Sequence, residues 1–144
     1  MMRPISRLAL VFVIVTILYL LISGNLFSRS PIIIATQIFA VALSVWARRS
    51  FPSGQFSIQA EPKDGQVLSR GPYQFIRHPM YAAALLLIWS GILGHVSPIN
   101  LIIGVIITGV VAIRIVVEEQ YLRTCYPDYT EYSRITKRII PLII

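Results

Sequence analysis

A chain of 144 residues, 56% of them apolar and only 13% charged, has too little polar surface to enclose its apolar side chains in one water-soluble core. Mean hydropathy is +0.72, so the natural solvent for much of the exterior is lipid. The net charge of +7 does not mark a nucleic-acid binder, because the basic residues fall between apolar blocks rather than along one polar face. The single cysteine, Cys125, excludes an internal disulfide and a cysteine-cluster metal site.

Residues 8–27, LALVFVIVTILYLLISGNLF, run twenty residues without a charge and predict a helix of roughly 30 Å, the depth of one hydrocarbon core. They follow a basic start at Arg3 and Arg7. The run is long for a signal peptide and no small-x-small cleavage site follows it, so the expectation is a retained span. Residues 32–47 predict a second, shorter helix opened by Pro31 at its first turn. Between residues 48 and 76 stand Pro52, Gly54, Pro62, Gly65, Gly71 and Pro72, which leave no room for a long helix. Residues 79–96 and 98–117 predict helices three and four, with Pro98 between them and almost no loop, hence a tight antiparallel hairpin.

The charges orient these elements. Arg3 and Arg7 lie at one end of the chain, Arg48, Arg49, Lys63, Arg70 and Arg77 in the central loop, and Arg123, Arg134, Lys137 and Arg138 in the tail; the first short loop holds only Arg29. The positive-inside rule then places both termini and the central loop in the cytoplasm, together with all six acidic residues. The expected fold is an all-α integral membrane protein with four transmembrane helices in a single unit. It divides into an N-terminal transmembrane hairpin (1–47), a cytoplasmic loop (48–78), a second transmembrane hairpin (79–117) and a cytoplasmic tail (118–144).

Two groups of residues carry chemistry. In GPYQFIRHPMY, residues 71–81, Pro79 suits the first turn of a helix, whose free N–H groups can receive an anion beside Arg77 and His78. The plainer account makes Arg77 a topology charge and Tyr81 an interfacial anchor. At the far end of the hairpin, Arg114 and Glu118 stand four apart and share a helix face, while Glu119 points about 100° away. The plainer account here is a boundary salt bridge with a snorkelling arginine. Hairpin topology brings both groups together, so one site is expected from His78, Tyr81, Arg114 and Glu118. Polar groups reached from both water and lipid suit a water-soluble cosubstrate meeting a lipophilic one.

GPYQFIRHPMY, followed by EEQYL and then YPDYTEYSRITKRIIP, resembles the isoprenylcysteine carboxyl methyltransferase family, with which phospholipid methyltransferases share a C-terminal signature. The resemblance runs from about residue 59 to residue 141. It implies an integral membrane enzyme that moves a methyl group from S-adenosylmethionine to a lipophilic acceptor. Cofactor contacts would fall on Gln59, Gly65, Gln66, Val67, Leu68, Tyr73, His78, Pro79, Met80, Tyr81 and Glu118, within a cytoplasmic cofactor-binding loop and the helix ends beside it. Arg114 matches the substrate-binding arginine, and Arg114, Glu118 and His78 would be the catalytic set. The sequence departs from the family where Cys125-Tyr126-Pro127 replaces a Phe-Gly before the tyrosine-rich tail.

No GxGxxG follows a strand, so the soluble nucleotide-binding fold is not in use. A carboxylate acceptor would need no general base, whereas an amine acceptor would call on Glu118, Glu119 or His78. The implied partners are a lipophilic or lipid-modified substrate and membrane lipids, without nucleic acid. A short chain of this kind favours a bacterial or archaeal plasma membrane. The alternative, a small four-helix transporter, lacks an ionisable residue deep in a span: helices one and two contain no acid, and Arg114 lies near a helix end.

Overall fold

The computed structural model describes residues 2–51 and 69–140, with side chains from residue 7 onward. Within them the chain forms five α-helices and no strand: α1 (Met2–Ile22), α2 (Pro31–Arg49), α3 (Pro79–Gly94), α4 (Pro98–Cys125) and α5 (Tyr129–Ile135). A 3-10 turn, Gly71–Gln74, precedes α3.

Proline opens three of the helices. Pro31, Pro79 and Pro98 each occupy the first turn, where a missing N–H leaves no hydrogen bond unmade. At α4 the Ser97 hydroxyl also accepts from the Asn100 N–H at 3.1 Å.

The ends differ more from expectation. The first apolar run stops being helical at Ile22, not Phe27. Gly24 takes a left-handed φ of 72°, the Asn25 N–H returns to the Leu20 carbonyl at 2.8 Å, and the Gly24 N–H returns to Leu21 at 3.2 Å. This paired turn satisfies the last carbonyls and reverses the chain. Helix α2 extends to Arg49, two residues past the sequence boundary. Helix α3 stops at Gly94, two short of it. Helix α4 continues to Cys125, eight residues beyond the apolar run ending at Val117, because Glu118–Arg123 are good helix formers and no breaker precedes Pro127. Residues 118–125 are thus helix rather than tail.

Helix α3 lies at the centre. It is tightest against α2 and also touches α4 and α1, while α1 lies mainly along α4. Small residues permit the close approaches: α2 buries Ala40 and Ala47, and α3 buries Ala82, Ala83 and Gly91. One buried cluster joins Leu20, Leu26, Ile88, Ile92 and Ile107 from α1, its following turn, α3 and α4. A second joins Leu43, Ile76, Ala82 and Ala83, with Ile139 of the tail against it. The Gln37 amide donates to the Leu26 carbonyl at 2.6 Å and ties α2 to the first turn.

Large apolar side chains also face outward, among them Phe12, Val15, Ile38, Phe39, Ile102, Val105 and Ile113. An apolar exterior of this kind marks membrane association. By length and composition α2 and α4 can each cross a bilayer, while the apolar helical parts Arg7–Ile22 and Pro79–Gly94 are shorter.

Gly104 offers a direct test of the α3–α4 contact. A methyl group there would stand 2.9 Å from Ile92 Cδ1 and 3.0 Å from the Trp89 ring, which is pinned by its N–H donating to Thr108 at 3.0 Å. Crowding of this sort costs about 1–3 kcal/mol, against a helix gain of about 1 kcal/mol. Gly104→Ala should therefore lower the thermal midpoint in detergent. Gly109→Ala, which meets no atom within 4 Å, should raise it.

Candidate active site

The site is assembled where α3 begins and the apolar part of α4 ends. Gly71 opens the approach: its φ of 58° is left-handed, and a side chain there would collide with the Ser50 hydroxyl at the end of α2. The 3-10 turn then buries Tyr73, whose carbonyl accepts from the Tyr132 hydroxyl at 2.6 Å and whose ring meets Phe51 edge-on at 5.5 Å. Burial pushes the Tyr73 hydroxyl well above the ordinary tyrosine range, and the Glu118 charge adds to the effect, so it stays a neutral donor.

Residues 75–78 are paired with the tail. The Lys137 N–H donates to the Phe75 carbonyl at 3.1 Å, the Arg77 N–H to the Lys137 carbonyl at 2.6 Å, and the His78 N–H to the Arg138 carbonyl at 3.0 Å, with one parallel bridge between Ile76 and Lys137. The Arg77 side chain completes this junction. Its Nε donates to Glu119 Oε1 at 2.8 Å, and its Nη1 donates to the carbonyls of Ser133 at 2.8 Å and Thr136 at 2.5 Å. One guanidinium thus joins the start of α3, the end of α5 and α4.

Glu119 is the hub of this network and is only 3% exposed. Oε1 accepts from Arg77 and lies 3.4 Å from His78 Nε2; Oε2 accepts from Arg138 Nε at 3.1 Å. Glu119 stands beyond Val117, outside the apolar stretch. Burial works against its ionisation, but hydrogen bonds from His78 and Arg77 and the Arg77 charge outweigh it and hold the carboxyl down at about 2.

The neighbouring Glu118 belongs to a different group, as the helical rotation between adjacent residues requires. The Tyr81 hydroxyl donates to Glu118 Oε2 at 2.5 Å. Arg114 Nε is 3.9 Å from the same oxygen, and its guanidinium lies 4.9 Å from the Tyr81 ring centroid, over the face. Arg114 is 6% exposed. The two groups meet through His78, whose imidazole stacks on the Tyr81 ring with centroids 5.4 Å apart and planes inclined by 19°.

Tyr81, Arg114 and Glu118 therefore come into direct contact, as the hairpin argument requires. His78 stands beside them but directs Nε2 to Glu119 instead. Pro79 is buried in the first turn of α3, Met80 is half-buried next to it, and Tyr73 lies in the preceding turn. Gln59, Gly65, Gln66, Val67 and Leu68 lie outside the described residues. Sequence reasoning missed the roles of Arg77, Glu119, Arg138 and Tyr132. One signal was available: Tyr126, Tyr129 and Tyr132 recur at a spacing of three, a periodicity that points to packing of the tail. The structure buries Tyr126 at the cap of α4 and Tyr129 at the start of α5.

The donor set suits a charged, water-soluble ligand with a cationic part. Glu118 supplies a carboxylate, Tyr73 and Tyr81 supply rings and hydroxyls, and Arg114 supplies a cation for an anionic group. No curated protein and no solved structure matches the chain. A family model described as phospholipid methyltransferase matches residues 26–129, from the turn before α2 to the first residue of α5 and including every contact of the Tyr81–Arg114–Glu118 group. With its match extending over most of the chain and across this site, the protein belongs to the phospholipid methyltransferase family.

Proposed function

We propose that this protein is an integral membrane methyltransferase that uses S-adenosylmethionine to methylate a lipophilic acceptor at the cytoplasmic face. The observation that carries the reading is the Tyr81–Glu118–Arg114 group, built where α3 and α4 reach the same end of the bundle. In this reading all four long helices cross the bilayer, with both termini and the site on the cytoplasmic side. The apolar exterior and the basic residues at that end support it.

Glu118 and Tyr81 would hold the amino or ribose groups of S-adenosylmethionine, with Tyr73 and the start of α3 beside them. When bound, S-adenosylmethionine supplies an electrophilic methyl group. The chain's own task is alignment: transfer needs the acceptor in line with the departing sulfur, and holding that geometry is a large part of such catalysis. Arg114, on the same face as Glu118, would orient an anionic group of the acceptor, a lipid phosphate or a carboxylate. The family's description favours a phospholipid amine over an isoprenylcysteine-type carboxylate. The transporter alternative loses ground because Arg114, Glu118 and Glu119 gather at one end of α4 rather than along a path through it.

Calorimetry on the full chain in detergent should show saturable binding of S-adenosylmethionine, and radiolabelled methyl transfer should appear with membrane lipid extract. An alkali-stable product identifies an amine acceptor and an alkali-labile one an ester. Wild-type protein that binds no S-adenosylmethionine would overturn the reading.

A further inference from the structure

The contact between His78 and Glu119 is one that the methyltransferase reading does not explain. The His78 ring is buried, lies parallel to Tyr81, and presents Nε2 to Glu119 Oε1 at 3.4 Å. The same carboxylate takes Arg77 Nε at 2.8 Å on Oε1 and Arg138 Nε at 3.1 Å on Oε2. A carboxylate between two guanidinium groups is ionised, and an ionised carboxylate only accepts hydrogen bonds. Whatever nitrogen faces it must carry a proton. In a neutral imidazole that assignment leaves the other nitrogen bare.

We propose that Glu119 is a positioning residue that holds His78 as the Nε2–H tautomer, so that Nδ1, on the ring stacked against Tyr81, is left as a lone-pair acceptor for an N–H group of the bound ligand. Arg77 and the tail are part of the same device. Arg77 anchors Glu119 from one side while gripping the carbonyls of Ser133 and Thr136, and Arg138 closes the other side from the tail. The consequence is chemical. The sequence suggests that His78 receives a ligand carboxylate, but a bare Nδ1 repels one and selects an ammonium or amine. The identity of that ligand rests on the proposed function; the tautomer does not.

The chain has two histidines, His78 and His95, so nitrogen-15 labelling of histidine in the full-length protein gives two rings to assign, and His95→Gln distinguishes them. At mildly alkaline pH the His78 spectrum should show a protonated Nε2 and an unprotonated Nδ1. Glu119→Gln, which removes the obligatory acceptor, should mix or invert the two signals and weaken S-adenosylmethionine binding by about tenfold or more. Saturating wild type with S-adenosylmethionine should shift Nδ1. A protonated Nδ1 in wild type overturns the tautomer assignment, and a His78 spectrum unchanged by Glu119→Gln overturns Glu119's hold on it. Ligand that binds without moving Nδ1 overturns the acceptor role. Absence of binding with the Nε2–H tautomer intact overturns the methyltransferase reading and leaves Glu119's hold on His78 standing. The wild-type measurement decides the tautomer even if Glu119→Gln fails to fold.

Discussion

Replacing Glu118 with glutamine should lower kcat/KM for methyl transfer by about 100- to 1,000-fold, the scale of losing one preorganised electrostatic contact in an active site. Shape is nearly conserved and the Tyr81 hydroxyl keeps an oxygen to bond, so the loss reports charge. Tyr81 donates to Glu118 at 2.5 Å and Arg114 approaches the same oxygen at 3.9 Å. Removing the carboxylate charge therefore weakens one charge-assisted hydrogen bond and takes away a charge that stands 3.9 Å from a buried arginine. Tyr81→Phe should cost less, about tenfold, since the carboxylate remains. The double variant should lose less than the product of the two singles, because both act on one contact. Radiolabel transfer assays on the four proteins measure this coupling. Independent, multiplicative losses would show that Tyr81 and Glu118 do not work as a pair.

Arg77→Ala should lower stability by about 3 kcal/mol, near the lower end for breaking a buried ion pair, because Arg138 and His78 remain on Glu119. The Arg77 side chain is 8% exposed and Glu119 4%, so water does little to replace the lost contacts. Three bonds go at once: one to Glu119 and one each to the Ser133 and Thr136 carbonyls. Arg77→Lys keeps the charge but not the forked reach, and should fall between wild type and alanine. Limited trypsin digestion should cut after Arg134 and Lys137 faster in both variants, while the long helices persist. The pH dependence has a definite sign. Glu119 is depressed from 4.5 to about 2, so its contribution is complete above about pH 4.5 and is lost as pH falls toward 2. The wild-type advantage over Arg77→Ala should be constant through neutral pH and shrink across that acid window. An advantage that changes between pH 6 and 8 would assign the Arg77 contribution to a group other than Glu119.

The parts of this architecture legible in the sequence are those decided by neighbours along the chain. Proline at positions 31, 79 and 98 announces three helix starts to within a residue. The spacing of Arg114 and Glu118 announces a shared face, and the short connection at Pro98 announces that this face meets Tyr81. Less legible are boundaries that depend on solvent or on backbone closure. The apolar run of α1 outlasts its helix because Gly24 turns the chain first, and α4 outlasts its apolar run because Glu118–Arg123 are good helix formers without being apolar. Least legible is Glu119. Its partners Arg77 and Arg138 stand 42 and 19 residues away, and nothing in the local pattern couples a topology arginine to a carboxylate across that distance. Arg77 is a boundary charge by its place in the chain and a carboxylate anchor only by the fold.

The pairing of residues 75–78 with the tail also sets a timetable for synthesis. The Arg77 side chain reaches Thr136, 59 residues later in the chain, and Tyr73 waits equally long for Tyr132. A ribosome makes α1 through α4 before either partner exists, so a nascent chain ending short of Tyr132 can complete its long helices but not the wall that carries His78. The helical scaffold and the catalytic competence of this protein are therefore separate products of translation, and competence is the later one.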